Sequence, residues 1–166
     1  SHLQYKAYVE VGFDDVLIQD SQYILDYVFT SLPKNAKSTP VYKTREIVEL
    51  FKHTDEKILN DAGFSFSTGL ISGPALSIKN SSLDEISPKY AYCIKECIRS
   101  LYLGSGKGLV YHTFVNMSGI TFAQEVFKMN GIIAEGDMGT SSTRCWFCGR
   151  SLALHETKKS DGLIKF

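Results

Sequence analysis

Two cysteines two residues apart, Cys145-Trp146-Phe147-Cys148, followed by Gly149 and Arg150, are the strongest chemical signal in this chain. Thiolates at that spacing can hold one zinc ion between them, and a glycine directly after the second permits the tight turn beneath the metal. His155 is the next donor of a suitable type, so the candidate metal ligands are Cys145, Cys148 and His155. A fourth would come from His112, from the Cys93/Cys97 stretch, or from beyond residue 166. Structural thiols and a thiol–disulfide couple are the competing accounts of the same pair. The redox account needs the pair to open a helix after a strand, whereas Gly139-Thr140-Ser141-Ser142-Thr143 upstream and Gly149 downstream describe a knuckle in a loop.

A second glycine-rich segment, Gly104-Ser105-Gly106-Lys107-Gly108, invites comparison with a phosphate-binding loop. The comparison fails, because such a loop needs a glycine where Leu101 stands and a hydroxyl residue where Gly108 stands. It also precedes an apolar stretch rather than following a strand and opening a helix. Asn116, Ser118 and Gly119 form a better candidate for contact with a nucleic-acid backbone. They lie at the end of the apolar run Leu109–Val115, just before a helical pattern, where side-chain donors and the amides of Gly119 and Ile120 could meet a phosphate. The alternative role for Ser118 is to cap that helix.

The elements that must position these groups can be read from periodicity and punctuation. Ser87-Pro88 is an N-cap followed by a proline at the first helical position, and Tyr90, Cys93, Ile94, Cys97, Ile98 and Leu101 recur at helical steps. A helix is expected from Pro88 to about Leu101, with Cys93 and Cys97 as small apolar residues on its core side. Leu109–Val115 reads as a buried strand, Gly119–Met129 as a helix with Ala123, Val126 and Phe127 on one face, and Ile132–Ala134 as a second short strand after the Asn130-Gly131 stop. Upstream, Tyr5–Val11 reads as a strand, Ser21 caps a helix through Tyr23, Ile24, Tyr27 and Val28, and Thr44 opens another through Ile47, Leu50 and Phe51. Residues 60–82, rich in Gly and Ser, read as an irregular connector with extended pieces such as Ala75–Ile78. This gives a region 1–82 and a region 83–166, the latter with a cysteine-bearing appendage at 140–158.

Composition narrows the function classes. With 43% hydrophobic and 22% charged residues, and ten Phe and nine Tyr among 166, a disordered or coiled-coil chain is excluded. No apolar run reaches the ~18 residues of a membrane helix, and four cysteines are too few for a disulfide scaffold, so a soluble chain from a reducing compartment is expected. Net charge is zero, with 18 basic and 18 acidic residues, so bulk electrostatics does not announce nucleic acid. The basic residues Arg144, Arg150, Lys158, Lys159 and Lys165 nonetheless outnumber the acids after position 143, which makes that end the better candidate for a phosphate-facing surface.

Ser87-Pro88-Lys89-Tyr90, then Gly106-Lys107-Gly108-Leu109-Val110-Tyr111-His112, then Ser118-Gly119-Ile120 and Asn130-Gly131 stand in an order that resembles the start of the second RecA-like lobe of superfamily-two helicases. The similarity is to the Swi/Snf-like group of poxviruses, asfarviruses and other large cytoplasmic DNA viruses, which includes early transcription factor and nucleoside triphosphatase subunits. It is best over 83–133. The resemblance implies an α/β fold: part of an open parallel RecA-like sheet, preceded by a helical inter-lobe linker and carrying the CxxC element as a zinc-knuckle-like insertion. It implies that Thr113, Asn116 and Ser118 face a DNA or RNA backbone. The partners it implies are the first RecA-like lobe and transcription proteins such as RNA polymerase, in the cytoplasm, the viral factory or the virion, with no membrane. Walker A, the acidic box and the arginine motif are not in this sequence, so ATP and Mg would be cofactors of an intact parent, and this chain alone is expected to be inactive in phosphoryl transfer. The competing function is a self-contained zinc-knuckle module that docks a protein, and a third is a thiol–disulfide enzyme using Cys145 and Cys148.

Overall fold

The computed structural model describes residues 29–30, 40–41, 43–103, 108–115, 119–145 and 149–156. The strand expected at Tyr5–Val11 and the helix expected after Ser21 lie outside them, as do Asn116, Ser118 and Cys148. In order, the elements are β1 (Phe29–Thr30), β2 (Pro40–Val41), α1 (Thr44–His53), α2 (Glu56–Asp61), β3 (Ser65–Ser67), β4 (Leu70–Ser72), a single 3-10 turn (Pro74–Leu76), α3 (Ser81–Ile86), α4 (Pro88–Leu103), α5 (Ile120–Met129) and α6 (Leu152–Glu156).

The helices follow their local signals. Ser87 Oγ accepts the Tyr90 amide at 3.2 Å, so α4 starts where its serine cap and first-position proline require. Its apolar stripe buries Tyr90, Ala91, Ile94 and Ile98, while Cys93 and Cys97 lie half-buried on the flank. α1 turns Ile47 and Phe51 inward, and α5 turns in Phe122, Ala123 and Val126. Asp55 caps α2, its carboxylate accepting the Lys57 amide at 2.8 Å.

Residues 60–82 are more ordered than their composition suggests. β3 and β4 pair antiparallel in the register Ser65↔Ser72, Phe66↔Ile71 and Ser67↔Leu70. The two residues between them, Thr68 and Gly69, both have positive φ, 51° and 81°, which is the turn geometry that matches strand twist in a two-residue hairpin. Ala75–Ile78 is not extended. Pro74 presets the φ of a helical turn, and the Leu76 amide closes onto Gly73 O at 3.0 Å, so Ala75 and Leu76 coil inward and are buried.

One buried cluster joins these pieces. Phe29, Phe51 and Phe64 meet edge to face at centroid distances of 5.2, 5.9 and 5.4 Å, and Phe122 of α5 extends the cluster to Phe29 at 6.1 Å and to Tyr90 of α4 at 5.5 Å. It draws on Ile47, Leu59, Ile71 and Leu76 before position 82 and on Leu83, Ile94 and Val126 after it.

The two expected strands differ from expectation. Leu109–Val115 pairs with no other strand among the described residues, and Leu109 and Tyr111 are 95% and 83% exposed. A strand exists only beside a neighbour, and none of the described segments lies along this one. Ile132–Ala134 is also unpaired among the described residues; it follows a Schellman cap on α5, in which Gly131 N donates to Lys128 O and Ile132 N to Phe127 O, each at 3.0 Å. The described sheets are the antiparallel pairs β1–β2 and β3–β4.

Candidate nucleic-acid interface and cysteine knuckle

The residues that open α5 are held by main chain. Ile120 N donates to Phe114 O at 3.0 Å and Thr121 N to Val115 O at 3.2 Å, with Thr121 Oγ1 adding a second bond to Val115 O at 2.7 Å. The Ile120 amide, expected to be open to a phosphate, is therefore taken by the loop's own carbonyl. Gly119, not Ser118, occupies the N-cap position. Gly119 is buried, and a Cβ on it would strike Phe114 O, so this position admits only glycine without a shift of the loop.

An aromatic stack anchors the loop to α4. The His112 ring lies 6.3 Å from Tyr90 at 15°, its Nδ1 accepts the Phe114 amide at 3.0 Å, and Tyr90 Oη donates to Gly119 O at 3.4 Å. His112 thus folds the loop back on itself beside Tyr90. Thr113, between the two anchored residues, is exposed. Of the four candidate backbone-binding residues, the structure describes Thr113 and Gly119: one presents a hydroxyl to solvent, the other is a buried hinge.

At the far end of α5 side chains do the holding. Asn130 is buried; its Nδ2 donates to Leu76 O at 3.0 Å and Val126 O at 2.7 Å, and its Oδ1 accepts the Ile78 amide at 2.9 Å. Arg144 reaches the same corner, with Nε donating to Asn130 O at 3.0 Å and Nη1 to Gly149 O at 2.9 Å. A guanidinium on the last carbonyls of a helix also meets the negative end of its dipole. Arg144, counted among the phosphate-facing basic residues by its position in the sequence, is an internal brace. Neither role has a spacing signature: Asn130 was legible as a helix stop, but its partner segment lies more than fifty residues away.

The knuckle hangs from that brace. Cys145 N donates to Arg150 O and Gly149 N to Cys145 O, both at 2.8 Å, and Gly149 has φ +69°. Glycine stands where the left-handed backbone favours it. A Cβ on Gly149 would press on Leu101 and Tyr102, so the turn rests against the last turn of α4. Cys145 is a free, buried thiol. Cys148 and the side chain of His155 lie outside the described residues, and among the described residues no three metal-binding side chains come together. Cys93 and Cys97 are therefore not gathered with Cys145. Burial, with Cys93 alongside, pushes the Cys97 thiol up to about 11.

The chain is similar to the early transcription factor large subunit homologs of African swine fever virus. With the homolog of isolate Tick/Malawi/Lil 20-1/1983 it shares 28% identity over 163 residues, 89% of this chain and 15% of that protein. With that of isolate Pig/Kenya/KEN-50/1950 it shares 35% over 98 residues, 57% of this chain and 9% of the relative. The homolog of strain Badajoz 1971 is 37% identical over 82 residues. The chain thus spans a small part of the length of these relatives. No protein-family model matches it, and no solved structure does. Among the described residues no helix is long and apolar enough to cross a membrane.

Proposed function

We propose that this chain is a segment of a viral early-transcription protein and that it serves there as a nucleic-acid-contacting module. The observation that carries the reading is the similarity to the early transcription factor large subunit homologs, which extends over 89% of the chain. Exposed Thr113 sits in a loop whose neighbours are pinned by His112, Tyr90 and the start of α5, so a hydroxyl is presented from a fixed backbone. Asn116 and Ser118, next in sequence before Gly119, complete the proposed contact.

The finer form of this reading is the second RecA-like lobe of a superfamily-two ATPase. In that form the parallel neighbours of 109–115 and 132–134, the first lobe and the nucleotide-binding motifs are supplied by the parent protein, and ATP and Mg act only there. The parent would work in the cytoplasm, the viral factory or the virion, beside RNA polymerase or other transcription proteins.

Titration of a labelled DNA duplex and of a single-stranded RNA with the chain, at several salt concentrations, tests the proposal. The expected result is weak binding whose log K falls with log salt at about −0.9 per neutralised phosphate on duplex DNA, with no ATP hydrolysis by the chain alone. Binding insensitive to salt, or none at low salt, counts against it.

A second reading is favoured by the knuckle geometry: a zinc-stabilised module that docks a protein. The Gly149 turn and the Cys145 hydrogen bonds fit a zinc-binding CxxC, with Cys145, Cys148 and His155 as its donors. Zinc would act there as a cross-link between loop and helix. Metal analysis of protein purified without chelator should then give about one zinc per chain; a chain with none, still folded, removes this reading.

A further inference from the structure

We propose that Cys93 and Cys97 form a second, two-thiol site, separate from the Cys145–Cys148 knuckle, that takes a thiophilic metal or metalloid ion. Both are free and half-buried, so neither residue is sealed in the core. They stand at positions i and i+4 of α4, one turn apart on one face, where side chains are neighbours. Cys93 is among the groups that raise the Cys97 thiol, in keeping with two side chains that are neighbours across one helical turn. Two metal–sulfur bonds of about 2.3 Å at a tetrahedral centre need sulfurs ~3.8 Å apart, a separation that neighbouring thiols reach without unwinding the helix.

The surroundings favour a soft ion bound by two sulfurs alone. No third metal-binding side chain among the described residues joins the pair. The nearest carboxylate in sequence, Glu96, is engaged by Arg99 Nη1 at 3.2 Å. Hard, oxygen-seeking cations have nothing to hold here, whereas thiolate ligands select soft centres. The remaining coordination positions are left to solvent or to a ligand brought with the ion.

Phenylarsine oxide is the probe suited to such a pair. Two thiols each give up a proton, two arsenic–sulfur bonds form, and the arsenic-bound oxygen leaves as water with both protons; arsenic stays trivalent, so no oxidant or reductant is needed. The expected outcome is one arsenic on the chymotryptic fragment 93–101 of the reduced native chain, persisting in Cys145→Ala and displaced by cadmium chloride. Cys93→Ser should lose that label at least tenfold while keeping its helical circular dichroism. Arsenic found only across Cys145 and Cys148, or an undiminished label on fragment 93–101 in Cys93→Ser, overturns the proposal. Should Cys93→Ser fail to fold, the digest of the native chain decides by itself.

Discussion

At its C-terminal end α5 is tied down by side chains, with Asn130 spanning to Leu76 and Ile78 and Arg144 bracing the last carbonyl and the knuckle, all within a buried corner. Its N-terminal end is closed by the carbonyls of Phe114 and Val115, and the loop that supplies them leaves Leu109, Tyr111 and Val115 exposed. The same helix therefore has one end committed to stability and one end whose side chains remain available. Buried polar groups are worth most where every partner is satisfied, and exposed apolar groups contribute little to folding, so substitutions at the two ends should separate cleanly.

The largest effect is expected at Asn130. Asn130→Ala leaves the Ile78 amide and two carbonyls without that partner in a buried site and should cost about 3 kcal/mol, read as a lower denaturant midpoint with an unchanged slope. Arg144→Ala removes two hydrogen bonds from a half-buried position and should cost about 1–2 kcal/mol, loosening the knuckle with it. Proteolysis near residues 145–150, faster in this variant than in the parent chain, would report that loosening. At the other end, Tyr111→Ser should change stability by less than about 0.5 kcal/mol. A cost near that of Asn130→Ala would erase the contrast between the two ends.

The smallest effect is a pH dependence at Cys97. Its thiol is held up to about 11 from the ordinary 9.0, chiefly by burial, so between these values the folded chain keeps a proton that the unfolded chain has lost. Stability contributed by this group is thus complete below about pH 9 and declines as the pH rises toward 11. Alkylation of Cys97 by iodoacetamide should accelerate across the same window, and a rate already levelling off near pH 9 would contradict the burial.

What was legible in the sequence divides along the same line. α4 carried its cap and periodic face in contiguous residues, α1 its periodic face alone, and the Asn130-Gly131 stop was visible because a Schellman cap is local. The hairpin at Ser65–Ser72 was hidden in a Gly- and Ser-rich stretch, since only the pair Thr68-Gly69 marks its turn and its strands have three residues each. Leu109–Val115 was read as a strand from composition, but pairing depends on a neighbour that no local pattern specifies. At the candidate sites, the glycine turn after Cys145-x-x-Cys148 was foreseen from residue types. The Asn130 staple and the Arg144 brace were not, because both are set by contacts distant in sequence.

The loop before α5 is proposed to contact a nucleic-acid backbone in a viral early-transcription protein. The most direct test is fluorescence anisotropy of a labelled DNA duplex with the parent chain and with Thr113→Ala and Asn116→Ala, at low and moderate salt. The account predicts binding that weakens with salt in the parent, a several-fold loss of affinity in each variant and a salt slope shallower by up to ~1 per contact removed, with the thermal midpoint unchanged. Equal affinity and equal slope in parent and variants, with all three folded, would contradict it.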